Sequence, residues 1–149
     1  MSFAPTSSTW AATTIDALRG AGFRTGGARR AVIELLARQT CCLSAQEIWD
    51  GLRRESRPVG IASVYRVLEV LADLKLVQRL DVGGGVARYE PMLPSGDHHH
   101  HLVCDDCGKV EAFSDEPLED ALRDLGDQAG YDVDAHDVVL RGSCGDCRV

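Results

Sequence analysis

A chain of 149 residues, 44% of them hydrophobic, is long enough for one good core or for two small lobes that share a dimer interface. No apolar run approaches the length of a bilayer span, and the opening "MSFAPTSSTW" lacks the pattern of an export signal, so a soluble cytoplasmic protein is the plain reading. The formal charge of −7 would argue against nucleic acid if it were evenly spread, but residues 1–80 hold 11 Lys and Arg against 7 Asp and Glu, and residues 81–149 hold 5 against 16.

From about residue 12 to 75 the pattern is helical. Ala28, Val32, Leu35 and Leu36 form one apolar stripe. Ser44 and Glu47 in "SAQE" have capping-box spacing, and Ala45, Ile48, Trp49 and Leu52 follow on a single face. "RESRPVG" breaks the pattern with Pro58 and Gly60. "IASVYRVLEVLADLKL" then gives a third stripe of Val64, Val67, Leu68, Leu71 and Leu74. "VQRLDVGGGVARYE" reads as two short strands around a glycine turn. Three helices followed by a hairpin is the winged helix-turn-helix plan. A linker, "PMLPSGD", leads into a strand ("KVEAF"), a helix and a second strand ("DVDAHDVVLRG"). That helix carries Leu118, Ala121, Leu122, Leu125 and Ala129 on one face and stops at Gly130. The expected fold is α+β: a winged-helix DNA-binding domain over 1–91, a hinge over 92–97, and a small metal-binding dimerisation domain over 98–149. A lobe this small has an exposed sheet edge that a second copy would cover.

On the helix after the loop, Ala62, Tyr65, Arg66 and Glu69 point away from the apolar stripe. Helix-turn-helix proteins place base and phosphate contacts near the N-terminus of such a helix, so Ala62, Ser63, Tyr65 and Arg66 are candidates for DNA contact. A solvated helix face with an incidental tyrosine is the plain alternative. Arg24, Arg29 and Arg30, with Arg88 in the wing, are phosphate candidates, or else ordinary surface charges.

Cys104-x-x-Cys107 and Cys144-x-x-Cys147 are separated by 36 residues. Each pair can chelate one ion, and four thiolates satisfy tetrahedral zinc with no open position. Without an export signal, this reading is preferred to unrelated thiols or a disulfide. The internal tetrad His98–His101 exceeds what that knot needs. If extended, His98 and His100 face one way and His99 and His101 the other, so one tetrad can feed two sites. Glu90, Glu119 and His136 are further possible donors, His136 alternating with Val138 and Leu140 on the expected strand.

"GIASVYRVLEVLADLKLV", "HHHHLVCDDCGKV" and "CGDC" together resemble the ferric-uptake-regulator family of metal-dependent repressors, over about residues 12–148. The resemblance implies a homodimer on palindromic operator DNA, with metal in the hinge region setting the angle between lobes. It assigns structural zinc to Cys104, Cys107, Cys144 and Cys147. It assigns a regulatory ion, Zn2+ or Fe2+, to Cys42, Glu90, His99 and His101, with Cys42 where many members have histidine. A second regulatory site falls on His98, His100, Glu119 and His136. Three positions depart from the pattern. "EPMLPSGD" lacks the cysteine of many zinc-responsive members, Ala112 stands where many iron- and peroxide-responsive members place a carboxylate, and Gly26 replaces the usual Thr at a helix start.

The hinge set of one thiol, one carboxylate and two imidazoles suits four-coordinate zinc better than ferrous iron, although Glu90 is what iron-responsive relatives carry and Cys41 or Cys42 could be a small buried hydrophobe. The expected function is a metal-responsive repressor, zinc favoured, with an iron-responsive or peroxide-sensing repressor as the alternative. A zinc metallohydrolase is remote, since H-E-x-x-H and the deaminase H-x-E…P-C-x-x-C are missing. No membrane and no small-molecule substrate are expected.

Overall fold

The computed structural model describes residues 7–39, 41–93 and 99–148, and the chain divides into two compact units, Met1–Asp97 and His98–Val149. Among the described residues, the first unit contains four helices: α1 (Ser7–Gly20), α2 (Gly27–Ala37), α3 (Ala45–Arg54) and α4 (Ile61–Asp73). The expectation of three helices misses most of α1. Its buried face runs Trp10, Thr14, Leu18 at i, i+4, i+8, and the threonine in the middle hides the stripe. The Trp10 indole N–H donates to the Leu76 carbonyl at 3.1 Å, which ties α1 to the far end of the unit.

Helix α2 starts at Gly26 with no side-chain cap, as the missing threonine implied. Helix α3 starts better. Ser44 Oγ accepts from the Glu47 N–H and Glu47 Oε1 accepts from the Ser44 N–H, both at 3.1 Å. Val32, Leu36, Ile48, Leu52, Val64, Leu68 and Leu71 form the shared core. Each such fully buried aliphatic side chain contributes about 1.5–3 kcal/mol. Leu74, expected in the α4 stripe, is instead partly exposed, because the helix ends at Asp73 and Leu74 is its C-cap.

Strands β1 (Leu43–Ser44), β2 (Val77–Asp81) and β3 (Ala87–Pro91) form an antiparallel sheet in the order β1-β3-β2. The wing is the β2–β3 hairpin. Its turn passes through Gly83, Gly84 and Gly85, all at positive φ, where a Cβ would strain the backbone. This is the winged helix-turn-helix that the helix and hairpin pattern predicts, with the two-residue strand β1 added.

In the second unit, β4 (His100–Cys104) lies between β5 (Val110–Phe113) and β6 (Val139–Gly142). It pairs antiparallel with β5 and parallel with β6. Helix α5 (Glu116–Ala129) fills the crossover, capped at its start by Asp115, which accepts from the Leu118 N–H at 3.0 Å, and closed by Gly130. The long last strand expected over "DVDAHDVVLRG" is corrected to four residues. Pairing with β4 begins at Val139, so His136 lies on an irregular approach and does not alternate on a strand. Most of the expected apolar face of α5 is uncovered: Leu125 is 61% exposed, and Tyr131 just beyond is 73% exposed. No described helix is long and apolar enough to cross a membrane.

Candidate metal centres and nucleic-acid interface

The four cysteines of the second unit converge. Parallel pairing places Cys104 opposite Gly142, so β4 and β6 leave the sheet at the same end and deliver both Cys-x-x-Cys turns together. The Sγ atoms of Cys104, Cys107, Cys144 and Cys147 lie within 4.8 Å of one another, with Cys107 and Cys144 3.8 Å apart. A zinc–sulfur bond of about 2.3 Å implies a tetrahedral sulfur–sulfur edge of about 3.8 Å, so this donor set fits zinc in both chemistry and spacing. The turns are braced from outside: Ser143 Oγ donates to Asp106 at 2.5 Å, Arg141 donates to Asp105, and Gly108 takes the positive φ that closes the first turn. The Cys144 N–H points at Cys104 Sγ from 3.3 Å and, with other backbone donors, holds that thiol down to about 6. The neighbouring thiols, Cys144 first, push Cys147 up to about 12. At neutral pH Cys104 is therefore the ready thiolate.

A second cluster joins β4, α5 and the approach to β6. His100 Nε2 lies 2.5 Å from Glu119 Oε1, and His136 Nε2 lies 2.6 Å from Glu119 Oε2. Two imidazoles and a carboxylate suit a divalent ion of borderline softness. The Val138 N–H donates to His100 Nδ1 at 3.2 Å, which leaves the ring proton of neutral His100 on Nε2, facing Glu119. A divalent ion at this cluster would be held by His100, Glu119 and His136, two imidazoles and one carboxylate. His98, the fourth residue assigned to this set, lies outside the described residues.

The residues assigned to the first regulatory site belong to different units, two in each. In the first unit, Leu43 pairs with Tyr89 and Ser44 with Arg88, and buried Cys42, just ahead of β1, feels the charge of buried Glu90. The adjacent Cys41 thiol, followed by burial, pushes the Cys42 thiol well above its ordinary value, and the Glu90 charge adds to the shift. In the second unit, the rings of His99 and His101 meet edge to face at 5.0 Å while His100 turns toward Glu119. The alternation read from the tetrad is present for the three described histidines.

On α4, Ala62, Tyr65, Arg66 and Glu69 are all exposed, Tyr65 by 54%, while Ser63 is half-buried and accepts from Arg66 at 3.2 Å. A groove of about 590 Å³ runs between α4 and the wing, lined in part by Tyr65, Glu69, Arg79, Val86 and Tyr89. A second, of about 450 Å³, lies between α4 and the start of α2, with Gly26, Arg29, Ser63 and Arg66 in its wall. Arg24 is exposed. Arg29 donates to the Arg24 carbonyl at 2.9 Å and stacks over Phe23, so it shapes this surface as well as charging it. Arg88, a phosphate candidate by sequence, instead donates to Glu47 at 2.5 Å and braces the wing against the α3 cap. Arg30 lies 3.9 Å from Glu34. Sequence reasoning missed Arg79, whose only signal is an outward position on the first wing strand.

Comparison with known proteins agrees with this architecture. Residues 20–141 match the ferric uptake regulator family. The ferric uptake regulation protein of Vibrio anguillarum is 37% identical over 132 residues, which span 88% of this chain and 87% of that protein. The solved Vibrio cholerae ferric uptake regulator superposes with a TM-score of 0.78 at 33% identity, covering 87% of this chain and 98% of that one. The Helicobacter pylori ferric uptake regulator, whose structure reveals three functional metal binding sites, superposes with a TM-score of 0.84 at 25% identity, covering 100% of this chain and 98% of that one. The protein belongs to the ferric uptake regulator family and is a metal-responsive transcriptional regulator, not an enzyme.

Proposed function

We propose that this protein is a cytoplasmic, zinc-responsive repressor that binds palindromic operator DNA as a homodimer when its regulatory sites are loaded. The domain over residues 1–91 reads DNA through α4, with Tyr65, Arg66, Ala62 and Ser63 at the bases and Arg24 and Arg29 at phosphates. Residues 92–97 act as a hinge, and the domain over 98–149 pairs two copies through the apolar surface left open around α5. Cys104, Cys107, Cys144 and Cys147 hold a permanent zinc. Cys42, Glu90, His99 and His101 take the sensed ion, and His98, His100, Glu119 and His136 take another.

The observation that carries the choice of zinc is a buried thiol, Cys42, within reach of the buried Glu90 charge. Sulfur favours zinc over ferrous iron, whose preferred ligands are harder. The mechanism is linkage: the ion must bind the DNA-compatible conformation more tightly than the other one. Driving a 1:99 population to 99:1 requires about 5.5 kcal/mol of differential affinity.

An iron-responsive reading draws on the names of the similar proteins and on Glu90. Operator binding titrated against buffered zinc and, anaerobically, against buffered ferrous iron separates the two. The expected result is saturation at free zinc well below about micromolar, with Cys42→Ser shifting that threshold upward. Restoration by iron alone, with Cys42→Ser silent, transfers the assignment to iron. Histidine oxidation after peroxide in the iron-loaded protein selects the peroxide-sensing variant.

A further inference from the structure

The neighbour of Cys42 is a second thiol with no assigned role. On a regular strand, side chains at successive positions point to opposite faces. Cys41 and Cys42 do not follow this rule: the chain bends at Cys41 before β1 begins, and the two Sγ atoms close to 3.9 Å. That separation matches, within 0.1 Å, the 3.8 Å between Cys107 and Cys144 in the four-cysteine cluster. It is also about the tetrahedral edge expected for zinc thiolates. The pair sits on a fixed piece of backbone, because Leu43 and Ser44 are registered against Tyr89 and Arg88 and Ser44 caps α3. Cys42 is buried and Cys41 is half-buried.

We propose that Cys41 and Cys42 form a two-sulfur chelate, so that the regulatory site takes a thiophilic divalent ion through both thiols and Cys41 sets its specificity. The proposal rests on the reading of Cys42 as a regulatory ligand and adds Cys41 to it. Two sulfurs shift preference further from ferrous iron and toward zinc or cadmium than one does.

The test uses the full-length dimer with zinc already in the four-cysteine cluster, loaded anaerobically with cobalt(II) as the spectroscopic probe. Thiolate-to-cobalt charge-transfer absorption grows with the number of bound sulfurs. Cys41→Ser and Cys42→Ser should each remove about half of the intensity of the unmodified site, with cluster zinc unchanged. Cys41→Ala is a second variant with no oxygen donor, and X-ray absorption on unmodified protein counts sulfurs with no substitution. Full intensity in both Cys41 variants, with loss in Cys42→Ser alone, overturns the two-sulfur chelate and leaves Cys42 as a ligand. Full intensity in all three variants overturns both assignments.

Discussion

Arg66 is exposed on α4, and its guanidinium donates to Ser63, one turn back on the same helix. Arg66→Ala is therefore expected to leave the fold and the metal content intact and to remove about 1–3 kcal/mol of operator discrimination. Arg24→Ala should weaken operator and random DNA alike and lower the salt slope by about one. Mobility-shift titrations of both variants at several salt concentrations check this, and unchanged operator affinity in Arg66→Ala removes α4 from the reading role. The polar face of α4 was legible in the sequence because helical period alone decides which residues oppose the stripe. The fate of Arg88 was not, because its partner Glu47 lies 41 positions away and is already engaged in the α3 cap. The same limit applies to Thr14, whose burial depends on tertiary neighbours and not on its own polarity.

At the level of elements, the α3 cap carries more than the helix. Ser44 ends β1, caps α3 with its hydroxyl and stands two residues after Cys42, so the helix start and the approach of that thiol share one short segment. Ser44→Ala should cost about 1 kcal/mol in urea unfolding and also weaken metal-dependent DNA binding, because the strand entry loosens. A loss of stability with unchanged metal response would separate the cap from the site. The capping box could be read from "SAQE" because its spacing is local. Strand β1 could not, since two residues carry no period and exist as a strand only through β3. The final strand was overread for the opposite reason: Val133 and Ala135 alternate with polar neighbours as on a strand, but pairing with β4 starts only at Val139.

For the whole molecule, the four-cysteine cluster is the point at which metal and folding become inseparable. Cys144→Ser is expected to release the structural zinc and lower the melting temperature, because zinc affinity here is folding free energy. Unchanged zinc content in that variant would exclude Cys144 as a ligand. The proton count tests the electrostatics. Cys104, held down to about 6, is already a thiolate at neutral pH, whereas Cys147, pushed up to about 12, must surrender a proton to bind. One equivalent of zinc should therefore displace about one more proton at roughly pH 5 than at roughly pH 7.5, the extra one coming from Cys104. The sign follows from the depressed value. Cys104 favours the folded arrangement fully above its ordinary 9.0 and loses that contribution as pH falls through about 6. Equal release at the two pH values would remove Cys104 from the thiolate role.

The parallel pairing of β4 with β6 also sets an order of events during synthesis. Cys104 and Cys107 leave the ribosome some 40 residues ahead of Cys144. Until β6 arrives, β4 has only β5 beside it, and a two-stranded ribbon is marginal in water. The winged-helix unit, whose helices contact their sequence neighbours, can close earlier because local contacts form fast and distant ones form slowly. The nascent chain thus passes through an interval in which a folded DNA-binding unit trails an open, acidic segment carrying two thiols and the histidine tetrad. During that interval the segment is the part exposed to proteases and to adventitious metals, and delivery of the last strand ends the exposure.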